Sequence, residues 1–218
     1  MKRLYIVVEG QTEQEFVNNL IAPYLQTFEI YSVTPVLIRT SRSGRGGMVN
    51  YQHLYNTISM LLASSQTDFV VTTLIDFFRL PNDMPNYAES MAIKDKAQCV
   101  EALENAVDES VGDSRFFSYI QLHEFEALLF SSNKGFEFYF SDEHASKTAS
   151  IISSYDTPED INSSPEGAPS KRLLAIKPDY NKVLEGNLIA LEVGIDAIIE
   201  KCPRFAEWMN SIVEKCKD

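Results

Sequence analysis

Three acidic residues close apolar runs of the sequence, at the places where buried strands would end. They are Glu9, Asp76 and Glu124. The runs before them cover residues 3–8, 69–75 and 116–122. Ligands of open parallel sheets bind outside the carboxyl ends of the strands. If the three runs are neighbouring parallel strands, these carboxylates are expected to meet at one edge of the sheet.

Two further acids lie close enough in sequence to join them. Glu13 follows Glu9 by four residues across a turn at Gly10, and Glu126 follows Glu124 by two. Hard cations such as Mg²⁺ or Mn²⁺ take oxygen ligands and usually keep waters and substrate phosphates. A strand end is also an ordinary place for a solvated charge, but the concentration of acids favours a magnesium site.

Basic residues supply candidate contacts to phosphate. Lys171 and Arg172 follow a Ser- and Pro-rich stretch and could stabilise charge that develops on phosphate oxygens. The alternative is a solvated first turn of a helix. Candidate nucleic-acid contacts are Arg39, Arg42, Arg45 and Lys182.

Strand and helix patterns alternate along residues 1–130, which predicts an α/β core with a mostly parallel sheet and helices on both faces. Thr12 and Glu15 form a capping-box pattern that predicts the start of the first helix. The pattern becomes mainly helical afterwards, so residues 131–218 are expected to form a helical extension packed on the core.

Composition excludes several classes of protein. No apolar run reaches the ~18 residues of a membrane span. The three cysteines form no CxxC pair, so neither a disulfide framework nor a zinc ribbon is indicated. The N-terminal apolar run is too short for a signal peptide, which predicts a cytoplasmic protein. The net charge of −12 argues against a general DNA coater, but its acid excess lies in residues 51–168 and leaves room for a local phosphate site.

Several segments together resemble a known family. They are Val8–Glu13 (VEGQTE), Leu74–Asp76, His123–Phe130, Pro169–Leu173, Pro178–Lys182 and Cys202–Phe205. They resemble a Toprim-like family of unknown function, related to the overcoming-lysogenization-defect nucleases and commonly encoded beside AAA or ABC-type ATPases. The usual Asp-x-Asp of the third Toprim strand is Asp76-Phe77-Phe78 here, so the second acid is replaced by Phe78.

This resemblance implies a Rossmann-like Toprim fold and a nuclease that hydrolyses phosphodiesters with Mg²⁺ or Mn²⁺. It assigns Glu9 as general acid or base and metal ligand, and Asp76 and Glu13 as metal ligands. Glu124 or Glu126 would then replace the missing aspartate, and paired ions would activate water and stabilise the leaving oxygen. It also implies a role as effector of an ATPase-linked phage-defence system.

Two alternatives from other classes remain open at this point. Phe78 favours a non-catalytic binding or regulatory subunit of an ATPase complex. The acidic composition favours a phosphohydrolase that acts on a small phosphorylated molecule, because an acidic surface repels long polyanions.

Overall fold

The computed structural model describes residues 2–39, 48–161 and 167–217. Within them lies a five-stranded, all-parallel sheet in the order β2-β1-β3-β4, with β5 also paired to β3. The strands are β1 (Arg3–Val8), β2 (Val33–Leu37), β3 (Phe69–Asp76), β4 (Phe116–Phe117) and β5 (Ile120–Gln121). The predicted α/β class with a parallel sheet is confirmed.

Strand β3 lies in the middle of the sheet and is buried along almost its whole length. It pairs with β1 from Arg3↔Phe69 to Val8↔Leu74. A strand covered on both faces needs an apolar run without polar alternation, and residues 69–75 provide one. The register places the ends of β1 and β3 side by side.

The fourth strand, expected as one run over residues 116–122, is in fact two short strands. The Thr73 hydroxyl explains the interruption, because it donates to the Tyr119 carbonyl (2.8 Å) and accepts from the Tyr119 N–H (2.7 Å). A side chain of β3 thus takes the bonds that the backbone ladder would otherwise make. The prediction of a continuous strand was wrong.

Helices cover both faces of the sheet. They are α1 (Gln11–Phe16), α2 (Ala22–Gln26), α3 (Tyr51–Leu62), α4 (Tyr87–Met91), α5 (Lys96–Val111), α6 (Phe125–Leu129), α7 (Lys134–Tyr139), α8 (Asp142–Ile152), α9 (Pro169–Ile176), α10 (Asn187–Val193), α11 (Ile195–Lys201) and α12 (Pro203–Lys217). Side chains of α3 and α5 form one hydrophobic cluster with one face of the sheet, and those of α1, α6, α10 and α12 form a second with the other face.

The first helix begins differently from the prediction. Gly10 is its N-cap, with no side-chain capping bond, so the Thr12 capping box was wrong. The helix then passes through a π-helical turn, Val17–Ile21, before Pro23. Because proline lacks an N–H and its ring clashes with the carbonyl four residues earlier, the wider turn accommodates Pro23 without ending the helix.

The region after residue 130 is mainly helical where the structure describes it. Its last helix is anchored on β3, where Trp208 Nε1 donates to Thr72 Oγ1 at 3.0 Å. Helices of this region share a hydrophobic cluster with β1 and α1. The division into a core and an extension at residue 130 stays a prediction. Among the described residues, no helix is long and apolar enough to cross a membrane.

Candidate functional site

The carboxyl edge of the sheet is the edge at which the parallel strands end. Backbone hydrogen bonds hold neighbouring chain segments together there. The Phe77 N–H donates to the Gln121 carbonyl (2.9 Å) and the Phe78 N–H to the His123 carbonyl (2.8 Å). Asp76 Oδ1 accepts from the Phe125 N–H at 2.9 Å. These bonds hold the end of β3 against the turn that leads into α6.

Three carboxylates surround one ammonium group at this edge. Lys182 Nζ lies 3.4 Å from Glu13 Oε1, 3.4 Å from Asp76 Oδ2 and 3.3 Å from Glu126 Oε2. We call Glu9, Glu13, Asp76, Glu126 and Lys182 the acid cluster. The acids come from the turn after β1, from α1, from the end of β3 and from the first turn of α6, so sheet and helices together bring the predicted residues into one place.

Lys182 is positioned by a π-helical turn, Lys182–Gly186. Asn181 caps it, with its side-chain oxygen accepting from the Leu184 N–H at 3.0 Å. Burial opposes the charge on Lys182, but the carboxylates of Asp76, Glu126 and Glu13 outweigh it and raise its pKa. The lysine is therefore a charged counterion held in place.

Three carboxylates of the acid cluster, those of Glu9, Asp76 and Glu126, hold their protons unusually tightly. Burial, then repulsion from Glu13, raises the pKa of Glu9 to about 7, although Lys182 and the Asp76 backbone N–H oppose the shift. Burial also raises the pKa of Asp76 well above its usual value, with Glu13, Glu9 and Glu126 adding to it against Lys182. Burial likewise raises the pKa of Glu126. One ammonium group does not fully compensate this concentration of negative charge.

Buried polar atoms beside the cluster lack hydrogen bonds among the described residues. They are both carboxylate oxygens of Glu126, Tyr180 Oη and Asn187 Oδ1. Glu126 is completely buried, and its contact with Lys182 is an ion pair without hydrogen-bond geometry. A buried acceptor without a partner is costly. The site is therefore short of positive or donating groups.

Glu124 makes a different set of contacts. Its two oxygens accept from the Ser170 N–H and the Ser170 hydroxyl, each at 3.0 Å. The carboxylate thus holds the first turn of α9 against the carboxyl edge of the sheet. It also lies near enough to Lys182 to help raise the pKa of that lysine. The predicted role of Glu124 as a metal ligand stays a prediction, because its oxygens are bonded to Ser170 here.

The other predicted residues lie outside the acid cluster. Lys171 is exposed on α9, and Arg39 is exposed after β2. The Arg172 guanidinium donates to the Gly167 carbonyl (2.8 Å) and to Tyr155 Oη (2.7 Å), so it fastens the chain before α9. Arg42 and Arg45 lie outside the described residues.

Sequence reasoning missed part of what residues 170–187 contribute to the site. Lys182 was predicted to contact nucleic acid, whereas its ammonium group lies within the acid cluster. Ser170, Tyr180 and Asn187 were not predicted at all. The segments Pro169–Leu173 and Pro178–Lys182 belong to the motif pattern, and that was the available signal.

The donor chemistry of the cluster suits a hard cation, because all its acidic ligands are carboxylates. In the described part of the chain, however, no three His, Cys, Asp or Glu side chains are spaced to hold one metal ion. The spacing is that of carboxylates around an ammonium group. The two oxygens of Glu126 make no other contact than the ion pair with Lys182 among the described residues, so they could also bind a cation.

Comparison with known families identifies the chain. A family model described as "Domain of unknown function (DUF4276)" matches residues 8–213. The protein belongs to this family. A comparison with curated proteins gave no match.

Solved structures with a similar chain course come from OLD proteins. The C-terminal region of the Burkholderia pseudomallei OLD protein is 15% identical, with 98% of this chain and 99% of that chain covered and a TM-score of 0.44. The C-terminal region of the Xanthomonas campestris pv. campestris OLD protein is 16% identical, with 100% and 96% covered and a TM-score of 0.46. Association of this chain with an ATPase stays a prediction.

Proposed function

We propose that the protein is a nuclease that hydrolyses phosphodiester bonds with Mg²⁺ or Mn²⁺ at the acid cluster. The observation that carries the proposal is the convergence of Glu13, Asp76 and Glu126 on one positive charge. Buried like charges destabilise a fold unless they are compensated. The cluster lies at the edge where parallel sheets bind ligands, which supports a cation-binding role.

Glu13, Asp76 and Glu126 would hold the metal, with Glu124 as a further oxygen donor. A bound divalent ion would supply charge stabilisation and an activated water. Glu9, with a pKa of about 7, can accept and release a proton at neutral pH, as a general acid or base requires. Lys182 would meet a phosphate oxygen when the ion takes over its carboxylates.

The nucleic-acid substrate is proposed from the motif resemblance and from the cations near the site. Lys171 follows Ser170, which is bonded to Glu124, and its exposed ammonium is available to a phosphate. Arg39 is a second exposed candidate. We also propose, from the motif resemblance, that the protein acts as the effector of an ATPase-linked defence system.

A non-catalytic binding or regulatory subunit is the second candidate. It is favoured by Phe78 at the position of the second acid and by the spacing of the carboxylates around Lys182. In that case the ion pairs would stabilise the fold and the edge would bind a partner. The net charge of −12 favours the third candidate, a phosphohydrolase for small phosphorylated molecules.

The test is a cleavage assay of the purified protein with Mg²⁺ or Mn²⁺. Plasmid DNA, tRNA and p-nitrophenyl phosphate are the substrates, each with and without any ATPase that is found encoded beside the gene. Cleavage of nucleic acid that Asp76→Asn abolishes supports the nuclease. Cleavage of the small ester alone supports the phosphohydrolase, and no turnover under any condition supports the binding subunit.

A further inference from the structure

A tyrosine beside the acid cluster has a buried hydroxyl group that none of the roles proposed above uses. Tyr180 is 8% exposed, and its Oη has no hydrogen-bond partner among the described residues. It precedes Lys182 by two residues, on the segment that leads into the π-helical turn. A buried donor without an acceptor lowers the stability of a fold, so Tyr180 would gain from any state of the protein that supplies an acceptor.

The backbone and the hydroxyl of Tyr180 are held in place. Its N–H donates to the Lys177 carbonyl (3.0 Å), and the next N–H, that of Asn181, donates to Glu185 Oε2 (2.8 Å). Gly186 lies against the hydroxyl, because a Cβ atom added to this glycine would be 2.7 Å from Tyr180 Oη. Non-bonded atoms pack well at about 3.5–4.0 Å, so a side chain at position 186 would displace the hydroxyl.

The first turn of α6 holds an acceptor that also lacks a hydrogen bond. Glu126 is completely buried, and neither of its oxygens is hydrogen-bonded among the described residues. The Cβ position of Gly186 that meets Tyr180 Oη also lies 3.5 Å from Cε1 of Phe125, the residue before Glu126. The tyrosine hydroxyl therefore lies beside the turn that carries this carboxylate.

The charge of Glu126 acts directly on the tyrosine. Burial raises the pKa of Tyr180, and among the charged groups Glu126 adds most to the shift, against the effect of Lys182. The hydroxyl therefore keeps its proton, and it does so near a carboxylate that can accept a hydrogen bond. A donor and an acceptor without partners thus lie in the same buried region.

A divalent cation at the acid cluster would change the surroundings of Glu126. In the structure the ammonium of Lys182, 3.3 Å away, is the group that compensates this carboxylate. A carboxylate that binds a metal ion is usually held in turn by hydrogen bonds from neighbouring groups. Loss of such a hydrogen bond typically lowers the affinity for the metal by about 10–100-fold.

We propose that Tyr180 is a positioning residue of the metal site, whose hydroxyl donates to Glu126 and holds that carboxylate as a ligand of the divalent cation. Tyr180 itself contacts neither the cation nor the phosphate. The proposal rests on the proposed binding of a cation at the acid cluster. It does not depend on catalysis, because it concerns the affinity for the ion.

The first experiment measures the affinity for Mn²⁺ without any substrate. Free Mn²⁺ is counted by electron paramagnetic resonance while the purified protein is titrated. Tyr180→Phe should raise the Kd by about 10–100-fold, because phenylalanine keeps the ring and removes the donor. Tyr119→Phe is the matched control. Tyr119 is also buried, but its hydroxyl donates to Gln121 Oε1 at 2.7 Å, so this variant should keep the wild-type Kd.

The stability of the metal-free protein separates a positioning role from a structural one. In chelator the Tyr180 hydroxyl has no hydrogen bond to lose, so Tyr180→Phe should leave the midpoint of urea unfolding unchanged or raise it. Tyr119→Phe removes a hydrogen bond and should lower the midpoint. A lowered midpoint in Tyr180→Phe would make Tyr180 a structural residue and overturn the proposal, whatever the Kd for Mn²⁺.

The second experiment tests the position of the hydroxyl, again in chelator. Gly186→Ala should lower the urea midpoint more in wild type than in Tyr180→Phe, because the atom that the new methyl group meets is absent from phenylalanine. Any gain in helix propensity is the same in both backgrounds. Equal effects in the two backgrounds would show that the hydroxyl does not lie against Gly186, and the proposal would fall.

These measurements keep the role of Tyr180 separate from the proposed function. Binding of Mn²⁺ by wild type with an unchanged Kd in Tyr180→Phe overturns the positioning role and leaves the metal site in place. Absence of Mn²⁺ binding by wild type overturns the metal site and the role of Tyr180 with it. A raised Kd without loss of stability in chelator supports the role of Tyr180, whether or not any substrate is cleaved.

Discussion

At the residue scale, Glu9 couples stability to pH. Burial raises its pKa from 4.5 to about 7, so the folded state keeps a proton that the unfolded chain has already lost. Between about pH 4.5 and 7 the folded state binds more protons, and stability falls as the pH rises. At about 1.4 kcal/mol per pKa unit, the loss reaches at most about 3 kcal/mol.

Glu9→Gln should remove this slope. The amide keeps the volume but does not ionise, so the variant should gain stability relative to wild type at pH 8 and much less at pH 4.5. Urea unfolding in chelator at both values measures the difference. Glu15→Gln, an exposed change on α1, is the control. If both variants keep the wild-type slope, Glu9 is not the group that titrates.

The same substitution tests chemistry. If Glu9 is the general acid or base, Glu9→Gln should lower metal-dependent cleavage by about 10²–10⁴-fold, and Asp76→Asn should also abolish most turnover by removing a ligand. Initial rates on a substrate that the wild type cleaves are the measurement. Full activity in Glu9→Gln would remove it from the mechanism.

Lys182 can be tested by deletion of its charge. Lys182→Met leaves Glu13, Asp76 and Glu126 without their counterion, and loss of one partner of a buried ion pair costs about 3–5 kcal/mol. Since the lysine side chain is 36% exposed, we expect the lower end of that range, and added Mg²⁺ should recover more stability than in wild type. Lys177→Met, which removes an ion pair with Glu185 outside the cluster, should show no such recovery. Equal responses to Mg²⁺ would argue against a cation site.

At the scale of elements, a partly buried ion pair between Glu104 and Arg204 links α5, β5 and α12. Glu104 Oε1 accepts from the Ile120 N–H and from Arg204 Nη2, both at 2.7 Å. The Glu104 carboxylate thus accepts the hydrogen bond of the Ile120 N–H in β5 and neutralises the charge of the Arg204 guanidinium at the start of α12.

Glu104→Ala should therefore destabilise the protein by about 1–3 kcal/mol, because it removes the hydrogen-bond acceptor of Arg204 Nη2 and of the Ile120 N–H. Glu104→Gln keeps an acceptor and should cost less. Glu101→Ala, an exposed change on the same helix, should be within about 0.5 kcal/mol of wild type. Chemical denaturation gives all three values, and a small effect of Glu104→Ala would show that Arg204 finds another partner.

The elements that were predictable from sequence are those with a long local pattern. Strand β3 is a run of apolar residues interrupted only by Thr72 and Thr73, so it was predicted within one residue of its end. The break between β4 and β5 was not predictable, because it depends on the hydroxyl of Thr73 in a different strand. A local sequence pattern cannot show a hydrogen bond between residues that are far apart in the sequence.

The same reason explains which residues of the acid cluster could be predicted from the sequence. The strand ends predicted that Glu9, Asp76 and Glu124 would lie at one edge, since parallel strands end at a common edge, and Glu13 and Glu126 follow two of them closely in sequence. Lys182 is 106 residues from Asp76 in sequence, and only the packing of the helical region against α1 brings it there. Its place as counterion was therefore found only in the folded structure.

At the scale of the whole molecule, the acid cluster joins parts of the chain that are far apart. Glu13 belongs to the start of the chain, Asp76 to the central strand, and Glu126 and Lys182 to the helical region. A ligand that binds these groups together binds the folded state only, because the unfolded chain does not assemble them. Cation binding should therefore raise the free energy of unfolding of the whole protein.

We expect Mg²⁺ or Mn²⁺ to raise the melting temperature. A ligand at 100 times its Kd adds about 2.7 kcal/mol, which for a chain of this length corresponds to roughly 5–10 °C. Asp76→Asn and Glu126→Gln should each lose most of the increase, since each removes a ligand charge. Asp156→Asn, outside the cluster, should keep it. Differential scanning fluorimetry with stepwise MgCl₂, at constant ionic strength set with KCl, separates this specific binding from screening of the net charge of −12. An increase of equal size in Asp76→Asn and wild type would place the ion elsewhere and leave Lys182 as the permanent cation of the cluster.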